Sequence, residues 1–145
     1  MQKTIQEYYI KDEKDLDDIS FDLIAWDRIF FSWDLWAWKS TFIRHIIRKY
    51  MDNQWLVVRS PTYTYYQKYR KDNSNITIYH CDLYRLEDYN TWISIWGEEI
   101  ALDPNGIFLI EWPEILENSI VPNKKISIEI MENDDRKIVI ESYSI

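Results

Sequence analysis

Residues 33–41 carry the side chains best suited to chemistry. They read Trp33-Asp34-Leu35-Trp36-Ala37-Trp38-Lys39-Ser40-Thr41 and lie between a short apolar stretch and an amphipathic one. A strand, a loop, a lysine followed by serine or threonine, and then a helix form the layout of a phosphate-binding P-loop. In such a loop the lysine reaches the β- and γ-phosphates of ATP, and the next hydroxyl ligates Mg²⁺. The pattern therefore predicts a nucleotide site centred on Lys39 and Ser40.

Tryptophan occupies the glycine positions of this loop. The motif G-x-x-x-x-G-K-[ST] requires glycine where this chain has Trp33 and Trp38, and Trp36 lies between them. Glycine is required because the backbone N–H groups must converge on phosphate oxygens, some of them at positive φ. An indole at position 38 would fill the space of the phosphate and would add a left-handed penalty of roughly 1–2 kcal/mol. With these three loop tryptophans the segment cannot hold ATP.

The composition of the whole chain shows the same anomaly. The 145 residues include 2 glycines and 8 tryptophans, whereas average usage predicts about ten glycines in this length. A mixed α/β domain with two glycines must make almost every tight turn without the residue that favours such turns most.

Length and charge limit the class of protein. A chain of 145 residues with 46% apolar residues predicts one domain, residues 1–145, with a substantial core. The net charge of −8 argues against direct DNA binding through the protein's own field. The one cysteine, Cys81, excludes a disulfide framework and a cysteine-built zinc site. Without a membrane-length apolar run or a signal-peptide pattern, we expect a cytoplasmic protein with no membrane association.

The hydrophobic pattern predicts the elements that would position the loop. Apolar and alternating stretches predict strands over 4–10, 28–32, 56–59, 63–69, 76–83, 107–110, 126–130 and 137–142. Helical spacing predicts helices over 13–24 and 40–51 and a broken helical stretch over 86–101. Strands and helices alternate early and strands pair late. This order predicts an α/β, P-loop NTPase-like three-layer domain with a mixed, partly parallel sheet.

Four segments of the chain resemble, in order and spacing, the bacterial TsaE (YjeE) ATPases of tRNA threonylcarbamoyladenosine biosynthesis. Residues 33–41 are similar to the family's G-D-L-G-A-G-K-[ST]-[ST]. Residues 60–64 (SPTYT) and 78–86 (IYHCDLYRL) resemble its S-P-T-[FY]-T and Y-H-x-D-L-Y-R-L segments. Residues 109–114 (LIEWPE) resemble its L-[IV]-E-W-P-E segment, and the whole resemblance covers about residues 3–140.

The resemblance implies a function and partners. The protein would bind ATP and Mg²⁺ and hydrolyse ATP weakly, with stimulation by its partners. These partners would be the TsaB and TsaD proteins, with which it would support modification of adenosine 37 in tRNA. It would meet the tRNA only indirectly, through the complex, and the acidic charge fits that division of labour.

Two acidic residues are predicted to complete the site. The resemblance assigns Asp82 to the magnesium site, and Ile78, His80 and Asp82 share one face of a predicted strand. Glu111 follows the apolar run 107–110 and could hold Mg²⁺ through water or polarise the attacking water. Both positions suit a ligand site because open α/β sheets bind ligands at the carboxyl ends of their strands. The alternatives are a capping aspartate and an exposed turn glutamate. With Lys39, the two acids form the predicted catalytic set.

The remaining nucleotide contacts are predicted around this centre. Thr41 would lie near the α-phosphate, and Thr62 and Thr64 could approach the γ-phosphate or its metal. Trp112 would contact the nucleotide or a partner, with simple packing as the alternative. For the two threonines the alternative is a rigid Ser-Pro turn. His80 is interpreted as a hydrogen-bonded structural histidine.

One cause can explain the loop tryptophans. Trp26 and Trp96 also stand where the family has glycine, whereas Trp112 is tryptophan in the family too. Independent mutations would not choose the same bulky replacement each time and spare the other functional residues. Some uncultured bacterial lineages read UGA as glycine, and a table that reads UGA as tryptophan would create this pattern. We therefore hypothesise that these five positions are glycine in the native protein.

Two other functions stay open on the sequence alone. A small P-loop kinase that phosphorylates a metabolite would use the same loop, although the SPTYT and EWPE segments would then have no role. If the loop tryptophans are genuine, the chain would be a nucleotide-free pseudo-ATPase that acts by docking to partners.

Overall fold

The computed structural model describes residues 2–19, 22–33, 36–61 and 64–144, with the backbone alone for residues 33 and 36–39. Its strands are β1 (Gln2–Ile10), β2 (Arg28–Trp33), β3 (Tyr66–Tyr69), β4 (Thr77–Asp82), β5 (Gly106–Glu111), β6 (Lys124–Ile130) and β7 (Arg136–Ser144). Its α-helices are α1 (Trp36–Met51), α2 (Tyr89–Ser94) and α3 (Gly97–Ala101), and 3₁₀ helices cover Glu13–Asp18 and Pro113–Leu116. None of the helices in these ranges has the length and apolar character that a membrane crossing needs.

The strands form one mixed sheet in the order β1-β7-β6-β2-β5-β4-β3. The four neighbours β6, β2, β5 and β4 run parallel, and the outer pairs β1–β7, β7–β6 and β4–β3 are antiparallel. All six residues of β5 are buried, as expected for a parallel strand that is covered on both faces. The predicted mixed, partly parallel sheet is confirmed.

Alternate side chains of the central strands pack into two separate cores. Ile29 and Phe31 of β2 join the core on the α1 side, whereas Phe30 joins the core formed with α2 and α3. Helix α1 contributes its apolar stripe, including Phe42 and Ile46, to the first core, because residues three and four apart share a helix face. Helices on both faces of a sheet make three layers, so the predicted α/β class and layer arrangement are confirmed.

The prediction of a strand over 56–59 is wrong, because these residues are described and pair with no strand. Their polar backbone groups find side-chain partners instead. The Leu56 carbonyl accepts a hydrogen bond from Arg48 Nε at 2.9 Å, and the Arg59 N–H donates to the Tyr69 hydroxyl at 3.3 Å. The apolar pattern arises because Leu56 packs against the α1-side core without entering the sheet.

The helix predicted over 13–24 is shorter than expected. It is a 3₁₀ helix, Glu13–Asp18, and Ile19 already has extended backbone with φ −77° and ψ 122°. Leu16 and Ile19 nevertheless lie in the core, so their spacing correctly identified buried positions. Residues 20 and 21 lie outside the described part of the chain.

Trp92 is a core residue that depends on a glycine five residues later. Its side chain is buried at the junction of α2 and α3. A Cβ atom at Gly97 would overlap the six-membered and five-membered rings of the Trp92 indole. Since Gly97 does not have positive φ, close packing is the reason that this position needs glycine.

Replacing Gly97 with alanine tests this packing, because two effects have opposite signs. Helix propensity favours alanine by about 1 kcal/mol, whereas overpacking costs about 1–3 kcal/mol. We expect Gly97→Ala to lower the free energy of unfolding, measured with urea, and Trp92→Leu to remove that penalty in the double variant. Glu99→Ala, an exposed change in the same helix, serves as the control. A gain in stability for Gly97→Ala would contradict the packing.

Candidate functional site

Asp82 and Glu111 meet at the carboxyl edge of the sheet. They end β4 and β5 and are direct partners in the parallel register. Ile78 and Leu109 lie in the α1-side core, and side chains two or four residues further along a strand share the same face. Both carboxylates therefore lie on the α1 side of the sheet, and both are buried. We call Asp82 and Glu111 the acid pair.

The predicted phosphate loop lies at the same edge. Strand β2 is the parallel neighbour of β5, with Phe31 opposite Glu111. It ends at Trp33, and α1 begins at Trp36, with two residues between them. The end of β2 therefore lies beside the acid pair. The helix predicted over 40–51 begins four residues earlier, so that positions 36–39, which were predicted as part of the loop, have helical backbone. A helix start presents unpaired N–H groups and a positive dipole end, which favour anions.

Ser40 is the first residue after the predicted loop whose side chain is described. Its side chain is exposed, and that of Thr41 is partly buried. The Thr41 hydroxyl oxygen accepts a hydrogen bond from Arg44 Nη2 at 3.5 Å. Asp34 and Leu35 lie outside the described residues. So do the side chains of Trp33, Trp36, Ala37, Trp38 and Lys39.

Tyr65, the residue that follows the SPTYT segment, contacts the end of β4. The Asp82 N–H donates a hydrogen bond to the Tyr65 carbonyl at 2.9 Å, and the Tyr65 N–H donates to the Pro61 carbonyl at 3.0 Å. The exposed Thr64 hydroxyl donates to the Tyr66 carbonyl at 3.2 Å. The chain directly after the segment is therefore bonded to Asp82 of the acid pair. Thr62 lies outside the described residues.

His80 contacts Glu111 directly. The His80 Nε2 atom lies 2.7 Å from Glu111 Oε2, and both side chains are buried. The interpretation of His80 as a hydrogen-bonded histidine is confirmed. Its partner was missed, because the period-two pattern places His80 on a face but does not reveal which neighbouring strand carries the acceptor.

Two aromatic residues border the acid pair. Trp112 follows Glu111 with a left-handed φ of 56°, and its ring lies 5.0 Å from that of the exposed Tyr84. The Tyr84 N–H donates to Asp82 Oδ1 at 3.2 Å, and the Leu83 N–H donates to the Glu111 carbonyl at 3.1 Å. The loops after β4 and β5 are thus tied together. Tyr84 was not singled out from the sequence.

Cys81 points away from this site. It lies in the core on the α2–α3 side, and it is a free thiol. Burial raises the pKa of this thiol well above its usual value, so the neutral form persists at physiological pH. The prediction of a core cysteine is confirmed.

The donor set suits magnesium held together with a nucleotide better than a metal held by protein alone. Within the described ranges, no group of three or more His, Cys, Asp and Glu residues could hold a metal ion. Mg²⁺ bound with nucleotides typically takes one or two carboxylates, with phosphate and water oxygens completing the octahedron. The acid pair supplies such carboxylates beside the end of β2.

Comparison with known proteins now identifies the family. A family model described as "Threonylcarbamoyl adenosine biosynthesis protein TsaE" matches residues 8–139. The chain belongs to the TsaE family. The solved structure of YdiB from Bacillus subtilis superimposes with a TM-score of 0.69 at 19% identity, and the match covers 99% of this chain and 89% of that one. The chain thus shares the fold of YdiB.

Curated TsaE proteins are similar in sequence. The Rickettsia conorii protein is 38% identical over 111 residues, 76% of this chain and 61% of its own length. The Rickettsia bellii protein is 36% identical over 71% of this chain and 69% of its own length, and the Aquifex aeolicus protein is 30% identical over 72% and 68%. Each is described as a tRNA threonylcarbamoyladenosine biosynthesis protein TsaE. The chain spans less than two thirds of the Rickettsia conorii relative.

Two of the tryptophans at TsaE glycine positions have a backbone that favours glycine. Trp26 has φ 75° and Trp96 has φ 68°, in the left-handed region where a side chain is strained. Both side chains are at least half exposed, although the Trp26 ring lies 4.0 Å from the Arg28 guanidinium. Trp92 and Trp55 do not have positive φ. Backbone conformation thus separates Trp26 and Trp96 from Trp55 and Trp92.

Trp96→Gly tests this difference, with Trp55→Gly as the matched control. Trp96 is 68% exposed and Trp55 is 81% exposed, so both changes remove little buried surface. Relief of the left-handed backbone gains roughly 1–2 kcal/mol, and the added freedom of glycine in the unfolded chain costs about 0.5–1 kcal/mol. We expect Trp96→Gly to raise the free energy of unfolding and Trp55→Gly to lower it, both measured in urea. Equal losses for the two variants would contradict the assignment of strain.

Proposed function

We propose that this protein binds and hydrolyses Mg·ATP as the ATPase of tRNA N6-threonylcarbamoyladenosine synthesis. TsaB and TsaD would be its partners, tRNA would be reached through their complex, and the site of action would be the cytoplasm. The observation that carries the proposal is the meeting of Asp82 and Glu111 at one sheet edge. That edge is also where β2 turns into α1, the element that carries Lys39 and Ser40.

Each predicted residue receives a role in this proposal. Lys39 would neutralise the β- and γ-phosphates, and Thr41 would bind near the α-phosphate. Ser40 and Asp82 would hold Mg²⁺, which neutralises phosphate charge when bound. Glu111 would hold a water molecule, either on the metal or in position to attack. The protein's own contribution is orientation and electrostatic complementarity, because phosphoryl transfer leaves little covalent chemistry to the side chains.

The SPTYT and EWPE segments would report on the nucleotide. Thr62 and Thr64 would approach the γ-phosphate, because Tyr65, which follows their segment, accepts a hydrogen bond from Asp82 through its carbonyl. Trp112 and Tyr84 would cover the mouth of the site and would face the nucleotide or a partner. Hydrolysis would be slow in the isolated protein and faster when partners bind.

The nucleotide can bind only if positions 33, 36 and 38 of the loop carry no bulky side chain. We infer that positions 33, 36 and 38, together with 26 and 96, are glycine in the native protein. The left-handed backbone at Trp26 and Trp96 supports the inference at those two positions. If the loop tryptophans are genuine, no triphosphate would bind beside the acid pair. The protein would then act by docking to partners without a nucleotide.

An ATP titration of two forms tests the proposal. The glycine-restored variant carries Trp33→Gly, Trp36→Gly and Trp38→Gly. We expect it to bind Mg·ATP in isothermal calorimetry, with the printed sequence weaker by roughly a hundred-fold, equivalent to about 2.8 kcal/mol. Trp55→Gly in the printed sequence should leave binding unchanged, because Trp55 is exposed and lies outside the loop. Failure of the glycine-restored variant to bind, or equal affinity of the two forms, would overturn it.

Asp82→Asn in the glycine-restored variant tests the metal role. Losing one carboxylate charge should weaken binding of Mg·ATP by roughly ten-fold or more while leaving metal-free ATP binding unchanged. Glu114→Gln is the matched control, because Glu114 is an exposed acid three residues beyond Glu111. Asp82 would have no metal role if both variants bound Mg·ATP equally well.

A further inference from the structure

We propose that His80 is a positioning residue, whose imidazole holds the Glu111 carboxylate in the orientation that the ATPase site needs. The inference rests on the proposed function for its kinetic consequence. The hydrogen bond that carries it can be tested without nucleotide.

The register of the sheet places the imidazole of His80 within hydrogen-bond distance of a side chain on β5. His80 is opposite Leu109 in the parallel register, and Glu111 is two residues further along the same face of β5. The His80 Nε2 atom spans that offset and lies 2.7 Å from Glu111 Oε2. Both residues are almost completely buried, so water cannot readily replace this contact.

The chemistry of the pair defines which atom carries the proton. An ionised carboxylate only accepts hydrogen bonds, so the proposed role assigns the donor proton to His80 Nε2. In a neutral ring Nδ1 is then an acceptor, and in the described part of the chain this buried atom has no hydrogen-bond partner. A buried polar atom without a partner reduces stability. Histidine is therefore a poor choice for packing alone at this position, which favours a role for its Nε2–H.

The two acids of the site differ in how much positioning they need. Asp82 has a short side chain, and its Oδ1 accepts a hydrogen bond from the Tyr84 N–H. Glu111 has one more rotatable bond, and His80 supplies the side-chain donor on its Oε2. Since functional groups must be held within about 0.5 Å of their working geometry, the longer acid gains more from a rigid buried donor.

A nucleotide-free measurement tests the hydrogen bond itself. In the full chain with ¹⁵N-labelled histidine, we expect NMR to show His80 Nε2 protonated. We also expect this signal to shift in Glu111→Leu and to stay unchanged in Glu114→Gln. A His80 ring without a proton on Nε2, or one that does not respond to Glu111→Leu, would overturn the proposal whatever the outcome of ATP binding.

Kinetics in the glycine-restored variant test the positioning role. His80→Leu should lower kcat for Mg·ATP by roughly ten- to a hundred-fold and leave KM within about two-fold, because the nucleotide contacts would be intact. His80→Gln, which keeps an N–H donor at similar reach, should recover most of the rate. Ile78→Val, on the same strand and face, controls for core perturbation and should leave kcat unchanged.

The decisive comparison is made in a Glu111→Gln background. If His80 acts through Glu111, adding His80→Leu there should lower kcat no further. Independent, multiplying losses would overturn the proposal, as would equal kcat for His80→Leu and the parent. If the glycine-restored variant fails to bind ATP at all, the proposed function is lost, and the NMR result alone decides whether His80 holds Glu111.

Discussion

The parallel pairing of β2, β5 and β4 is the constraint on which the rest of the structure depends. It brings the ends of three strands to one edge, so that Asp82 and Glu111 become direct neighbours beside the turn into α1. The buried apolar residues of β5 stabilise this pairing from both faces. The same pairing places His80 within reach of Glu111. The central sheet therefore sets the positions of the side chains at the site.

The second constraint is backbone conformation, and it divides the tryptophans into two groups. Trp92 is buried against Gly97, which has no side chain to overlap the indole. Trp26 and Trp96 instead occupy exposed left-handed turns, where an indole contributes little and strains the chain. Trp112 is also left-handed but packs against Tyr84 beside the acid pair. Tryptophan is therefore well packed at position 92 and strained at positions 26 and 96.

Much of the fold could be predicted from local pattern, because burial imposes period two on strands and period 3.6 on helices. The TsaE resemblance assigns Asp82 to the magnesium site, and the positions of Asp82 and Glu111 at the ends of predicted strands support a ligand site there. The pattern could not distinguish a strand over 56–59 from an extended segment whose backbone is satisfied by Arg48 and Tyr69. It also could not identify the partner of His80, since that contact depends on register between strands 31 residues apart. Long-range pairing is the information that local sequence lacks.

The gene's codons test the central claim most directly. This claim is that the loop positions written as tryptophan are glycine in the native protein, so that the loop can bind a triphosphate. The account predicts UGA at positions 26, 33, 36, 38 and 96. It predicts UGG at position 92, where Gly97 makes room for the ring, and at position 112, where the family itself has tryptophan. UGG at positions 33, 36 and 38 would contradict the account, because the native loop would then carry three indoles where phosphate must bind.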